Sequence, residues 1–162
     1  MDRYLAARNV VGASWSTVAP VSPPVVTPTT KTPVIAPFQP VFLKTKAMTI
    51  ASAIKSGLSF SLTADRANSA FTKLYVSHAA AVKLGLAKKT AKGNVLVGTK
   101  SVTSKAAGKV VVKVALTAKA KAALKKSKAA VTIIAATTVT PTDGAGGVSY
   151  THNVVLTAPK KK

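Results

Sequence analysis

Strict alternation of apolar and polar residues is the feature that most limits the folds open to this chain. In the first of four such segments, 58–63, leucine and phenylalanine alternate with serine and threonine; the others are 110–116, 131–137 and 148–156. A period of two matches a β-strand, whose successive side chains point to opposite faces of a sheet. We therefore predict half-buried antiparallel strands over most of the chain beyond Val41.

The connections between these segments predict turns and short helices. The run PTDGAGG at 141–147 supplies the positive φ angles that a hairpin needs, so the last two strands are predicted to be hairpin partners. Helices are predicted at Ser52–Ser56, Ala79–Leu84 and Thr117–Lys128, and Thr117 is a suitable N-cap for the third. Short helices between strands favour an all-β sandwich over a βαβ fold, whose helices are longer.

A proline-rich segment precedes the predicted domain. Seven of the nine prolines lie between Pro20 and Pro40. Proline fixes φ and cannot donate a ladder hydrogen bond, so this segment is predicted to be extended or polyproline II. The predicted organisation is an extended arm at 1–40, a sandwich domain at 41–158 and a basic tail at 159–162.

The arm also carries large apolar side chains, which gain free energy by lying on another surface. We predict that these residues bind a partner: Tyr4, Leu5, Trp15, Val25, Val26, Val34, Ile35 and Phe38. A short amphipathic helix is predicted within Met1–Ala13, and residues 1–19 contain no continuous hydrophobic stretch of the kind that marks a secretory signal. The alternative for the arm is a stiff spacer in front of the domain.

The net charge is unusually high. The chain has 24 Lys and Arg against three Asp and Glu, a formal charge of +21. A predicted basic surface lies in and just after the third helix: Lys119, Lys121, Lys125, Lys126 and Lys128. Such a surface attracts acidic protein, anionic wall polymer or nucleic acid, and the alternative is a merely solubilising charge. The lysines are spread along the whole sequence and no aromatic pair is seen in a basic strand, which counts against nucleic acid.

Few residues could support catalysis or metal binding. The acids are Asp2, Asp65 and Asp143, the histidines are His78 and His152, and there is no cysteine. Asp65 beside Arg66 is interpreted as a turn residue with its counter-ion, and each histidine as structural. We therefore expect no enzyme activity, no cofactor and no metal, and no apolar run approaches the ~20 residues of a membrane span.

Four stretches of the sequence carry a family resemblance: SGLSFSLTA, AAAVKLGLAKK, the run from GKVVVKVALTAKAKAALKKSKAAV to TDGAGG, and the closing YTHNVVLTAPKKK. Residues 42–157 resemble an immunoglobulin-like or fibronectin-like β-sandwich domain of actinobacterial proteins. The resemblance implies an immunoglobulin-like fold of antiparallel strands with short connecting helices.

Domains of this kind occur in secreted and cell-surface proteins and on virions of phages that infect these bacteria. A solitary domain with an adhesive arm resembles a virion decoration, or cement, protein, which implies a place on the capsid surface and binding to the major capsid protein or another acidic lattice, with self-association inside the assembly. The alternatives are a secreted or wall-associated adhesion module that binds anionic polymer, located outside the cell, and a non-specific nucleic-acid-binding protein.

Overall fold

The computed structural model describes residues 36–43, 45 and 47–158. Strands make up 49% of these residues and helices 18%, so the predicted all-β class is confirmed. In chain order the elements are β1 (Val41–Leu43), β2 (Met48–Thr49), α1 (Ile50–Ser56), β3 (Leu58–Ala64), β4 (Asn68–Val76), α2 (His78–Lys83), β5 (Val95–Ser104), β6 (Gly108–Val114), α3 (Ala118–Lys126), β7 (Val131–Pro141) and β8 (Val148–Thr157). The helix predicted within Met1–Ala13, most of the arm and the basic tail lie outside the described residues.

The strands form two sheets. One has three strands in the order β1-β3-β6, and the other has five in the order β2-β8-β7-β4-β5. The pairs are antiparallel except for the short β2, which runs parallel to the end of β8. The predicted final hairpin is confirmed, because β7 and β8 pair from Val139↔Val148 onward.

The inward faces of the two sheets enclose one hydrophobic core. The alternation predicted for β3 and β6 is confirmed, since Leu58, Phe60 and Leu62 are buried. Their partners on the neighbouring strand β6, at positions 114, 112 and 110, are buried valines. The core side chains are mainly Val, Leu and Ala, with Phe38 and Phe60 as its aromatic members in the described residues.

The two long strands β4 and β5 are not among the four alternating segments of the sequence. The inward face of β4 contains Asn68 and Thr72 as well as apolar residues, so its hydrophobic alternation is interrupted. In β5 a register shift opposite Leu74/Tyr75 and the small residue Gly98 break the period of two. The structure satisfies part of this buried polarity, because the hydroxyls of Thr72 and Thr137 lie 2.9 Å apart in a hydrogen bond.

The boundary predicted between arm and domain is wrong by a few residues. Phe38 is only 4% exposed and belongs to the core, with the Arg66 guanidinium 5.9 Å from its ring centre. The Tyr150 hydroxyl donates a 2.9 Å hydrogen bond to the Pro40 carbonyl. Phe38 was predicted to bind a partner, but its ring is already buried in its own domain. The domain therefore extends back at least to Phe38.

All three helices stand at the same end of the two sheets. β3 begins beside the end of β6, at Leu58↔Val114, and β4 ends beside the beginning of β7. α1 precedes β3, α2 follows β4 and α3 joins β6 to β7, so each helix connects strands at this end. The opposite end carries the three tight connections 65–67, 105–107 and 142–147.

The helix boundaries follow local capping chemistry. α1 starts two residues earlier than predicted and ends at Ser56, and its C-cap is Gly57, whose φ of 74° suits glycine. α2 was predicted to start one residue later than it does, and the Ser77 hydroxyl caps it by accepting from the Ala80 N–H. Thr117 is the N-cap of α3 as predicted, while α3 ends two residues before the predicted end.

Candidate anion-binding surface

Most of the lysines lie at the end of the molecule that carries the helices. Ten of the fifteen lysines in the described residues belong to α1, α2, α3 or the connections that follow α2 and α3: Lys55, Lys83, Lys88, Lys89, Lys92, Lys119, Lys121, Lys125, Lys126 and Lys128. Within the described residues, this end has no aspartate or glutamate. We call it the basic end.

The basic end corrects the view that the lysines are dispersed. They are far apart in sequence, but an antiparallel chain returns to the same end of the sheets after every second strand. Lysines placed in alternate connections therefore converge in space. The five residues predicted as a basic surface lie on α3 and just after it. Sequence reasoning missed the other five because their grouping depends on the strand path.

α3 is anchored to the domain by its buried face and its N-cap. Ala120 and Leu124, one helical turn apart, are buried in the core, which leaves its four lysines on the other faces. The Thr117 hydroxyl accepts a 3.3 Å hydrogen bond from the Ala120 N–H, and the Thr117 N–H donates to the Val97 carbonyl of β5. Lys125 and Lys126 lie in the last turn, where the helix dipole favours cations.

A cleft of about 600 Å³ lies between α2 and α3. Lys83, Lys126 and Lys128 contribute its charged groups. The other lining residues are small or apolar: Ala80, Leu84, Gly85, Ala123, Ser127, Ala129, Ala130 and Val131. The basic end therefore has a concave site bordered by ammonium groups and lined by hydrocarbon.

The opposite end contains both described carboxylates. The Arg66 guanidinium contacts Asp65 and Asp143, each with an N–O distance of 2.9 Å. The hydrogen bond from Arg66 lowers the pKa of Asp65, while the Ala145 N–H and then Arg66 lower the pKa of Asp143. The interpretation of Asp65 as a turn residue beside its counter-ion is confirmed, and the partner Asp143 was not foreseen. Charge is thus distributed unequally between the two ends.

The two histidines lie in separate environments. His78 begins α2 at the basic end, and its Nε2 lies 3.2 Å from the Lys88 carbonyl oxygen. His152 packs edge-on against Phe60, and its Nε2 is buried with no hydrogen-bond partner among the described residues. Burial lowers the pKa of His152. The described residues contain no group of three or more His, Asp or Glu side chains that could hold a metal ion.

The outer face of the five-stranded sheet is a second distinctive surface. Phe71, Lys73 and Tyr75 share this face of β4, and the Lys73 ammonium lies 5.2 Å from the centre of the Phe71 ring. The exposed side chains of Leu96 and Val155 belong to other strands of the same sheet. The sequence predicted no aromatic pair in a basic strand, but in β4 two aromatic residues flank a lysine on one face.

The remaining predicted arm residues, Tyr4, Leu5, Trp15, Val25, Val26, Val34 and Ile35, lie outside the described residues. No protein-family model matches the chain, and no curated protein matches it significantly. Among the described residues, the helices are all too short or too polar to cross a bilayer.

Proposed function

We propose that this chain is a non-enzymatic binding module whose basic end attaches to an acidic surface of a large protein assembly. The observation that carries the proposal is the convergence of ten lysines, without a carboxylate among the described residues, at one end of the domain. A one-sided charge distribution orients a molecule as it approaches an oppositely charged surface. The opposite end, where Arg66 forms ion pairs with two aspartates, then points away from the assembly.

We further propose that the fold is immunoglobulin-like. In that fold, strands G, F, C and C′ are neighbours in one sheet, while strands B and E pair in the other. The order β8-β7-β4-β5 corresponds to G-F-C-C′, and the pair β3-β6 corresponds to B-E. The first strand is divided between β1 on one sheet and β2 on the other. The strand order thus supports the family resemblance of the sequence.

The assembly that we propose is a phage capsid, with this chain as a decoration protein on its outer surface. The support is the resemblance of the sequence together with the orientation that the basic end imposes. Lysine is a strongly hydrated point charge that suits many diffuse contacts better than a single bidentate one. In this proposal the arm adds an apolar contact with the capsid. The arm is taken as residues 1 to about 35, because Phe38 already belongs to the domain core.

A second candidate function is binding of single-stranded nucleic acid on the outer face of the five-stranded sheet. It is favoured by Phe71 and Tyr75 on one face of β4 with Lys73 between them, because aromatic rings on a sheet can stack on bases. This surface is separate from the basic end, so substitutions can distinguish the two functions. The double variant Phe71→Ala/Tyr75→Ala is expected to leave binding to an acidic protein shell unchanged.

The test of the main proposal compares two variants of equal charge. The first replaces Lys119, Lys121, Lys125, Lys126 and Lys128 by glutamine. The second replaces the five described lysines outside the helices and the connections that follow them, Lys73, Lys100, Lys105, Lys109 and Lys113, of which only Lys113 lies near the basic end. Binding is measured by co-sedimentation with purified capsids of a phage that infects actinobacteria, with lipoteichoic acid and an oligonucleotide as competitors. Exposed charge contacts contribute modestly, so five of them predict a loss of roughly tenfold or more for the first variant.

The second variant is expected to lose only about threefold, through weaker long-range attraction. Equal losses in the two variants would contradict the orientation that we propose. Preference for the oligonucleotide or the wall polymer over the capsid would replace the proposed partner. The arm is tested by deleting residues 1–35, which keeps Phe38: at ~1 M salt, where the Debye length is ~3 Å, only the full chain should remain bound.

A further inference from the structure

We propose that the cleft between α2 and α3 binds a peptide segment that carries both carboxylate and aliphatic side chains. This inference deepens the proposed function and rests on it, because the peptide belongs to the acidic partner. The cleft volume of about 600 Å³ is within the range of pockets that enclose several side chains of a ligand. The proposal is carried by the charge and the hydrocarbon of the lining residues together.

The charged groups of the cleft are three ammoniums and no carboxylate. Lys83 comes from the last turn of α2, Lys126 from the last turn of α3, and Lys128 from the connection to β7. They therefore approach the cleft from two helices that are distant in sequence. A single exposed lysine is common on protein surfaces and indicates no site. Three lysines around one cleft give the cleft a strong preference for anions.

The apolar lining of the cleft favours a ligand that has aliphatic groups. Leu84, Ala123, Ala130 and Val131 offer apolar surface, and the lysine side chains add their methylene groups. Contact with this surface removes apolar area from water only if the ligand has aliphatic groups of its own. A bare polyanion satisfies the ammoniums and leaves the hydrocarbon exposed.

The groups that a ligand can bring decide between a peptide and a nucleic acid. The backbone at the end of α2 offers little, because the carbonyls of Ala80, Ala81 and Val82 already accept N–H groups of residues 84–87. One peptide segment can supply both carboxylates for the lysines and aliphatic side chains for the apolar lining. A phosphodiester backbone supplies negative charge and no aliphatic side chain. The cleft therefore complements an acidic, partly aliphatic peptide.

The experiment uses the full chain labelled with ¹⁵N and three synthetic probes. The probes are a decapeptide of alternating Asp and Leu, the matching decapeptide of Asp and Ser, and a deoxythymidine decamer. We expect the Asp-Leu peptide to bind most tightly and to shift the amide signals of Gly85 and residues 129–131. Equal affinity of the two peptides would overturn the role of the hydrocarbon, and tighter binding of the oligonucleotide would overturn the peptide.

A pair of triple variants locates the site within the basic end. Lys83→Gln/Lys126→Gln/Lys128→Gln removes the cleft ammoniums, and the control Lys55→Gln/Lys119→Gln/Lys121→Gln removes three others from the same end. The cleft variant should bind the Asp-Leu peptide about tenfold more weakly than the control variant. Equal binding by the two variants would overturn the cleft as the site.

The same pair separates this inference from the proposed function. If both triple variants bind capsids equally, while the five-lysine variant of α3 and its connection fails to bind, the basic end is the attachment surface and the cleft is not a special part of it. If all of these variants bind capsids like the native chain, both proposals fail.

Discussion

The hydrogen bond between Thr72 and Thr137 permits a quantitative test of how the five-stranded sheet tolerates polar groups in its core. The two residues are direct partners on the neighbouring strands β4 and β7. Both are buried, and their hydroxyl oxygens are 2.9 Å apart. Valine has almost the shape of threonine, with a methyl group in place of the hydroxyl. Thr→Val at either position therefore removes the hydrogen bond and leaves the other hydroxyl buried without this partner.

The expected magnitudes follow from that asymmetry. Loss of a hydrogen bond lowers the free energy of unfolding by about 1 kcal/mol, and a buried hydroxyl left without a partner lowers it by about 1–3 kcal/mol. Each single variant, Thr72→Val or Thr137→Val, should lower the free energy of unfolding by about 1–2 kcal/mol. The double variant removes both polar groups together and should lie within about 1 kcal/mol of the native chain. The two substitutions are thus expected to be strongly non-additive.

The assay is urea denaturation of the full chain and its three variants, followed by circular dichroism. The dependence of unfolding free energy on urea should stay constant, because the area exposed on unfolding does not change. In thermal unfolding, each single variant should melt about 3–6 °C lower, and the double variant should recover most of the difference. Additive losses in the double variant would refute the reasoning, since they would show that the two hydroxyls do not depend on each other.

Two further predictions concern glycine geometry and pH. Gly57→Ala should destabilise the domain by about 3 kcal/mol or more, because φ is positive and the new Cβ would lie 2.5 Å from the Val114 carbonyl oxygen. Gly85→Ala places its Cβ in open space, so only the strain of a left-handed backbone, about 1–2 kcal/mol, should be lost. Similar melting temperatures of the two variants would contradict this difference. Burial lowers the pKa of His152 in the folded chain. Below the unfolded pKa of 6.5, the unfolded chain therefore binds a proton at His152 more strongly than the folded chain does. Stability should therefore fall as the pH is lowered from 7 to 5, and His152→Gln should reduce this dependence in urea titrations at each pH; an unchanged slope would exclude His152 as its source.

Much of the fold could be predicted because local chemistry and the final structure agree in several elements. In β3 and β6 each apolar residue of the alternating pattern is buried, so the pattern reports the core directly. Thr117 and Gly57 mark helix ends through capping geometry, which depends only on neighbouring residues. β4 is absent from the alternating segments because Asn68 and Thr72 point inward, and only a cross-strand partner on β7 makes the burial of Thr72 acceptable.

The candidate site depended on tertiary structure to a greater degree. Sequence alone established the high positive charge, the scarcity of acids and the five lysines in and near α3, because composition and local runs need no fold. It could not show that Lys55, Lys83 and Lys88 lie at the same end as α3, since that follows from a chain that crosses between the ends with every strand. Phe38 and Asp143 illustrate the same principle: the ring enters a core built from later residues, and Arg66 contacts a carboxylate 77 residues further along the chain. Local pattern determines which side chains are buried or charged, and strand order determines which of them meet.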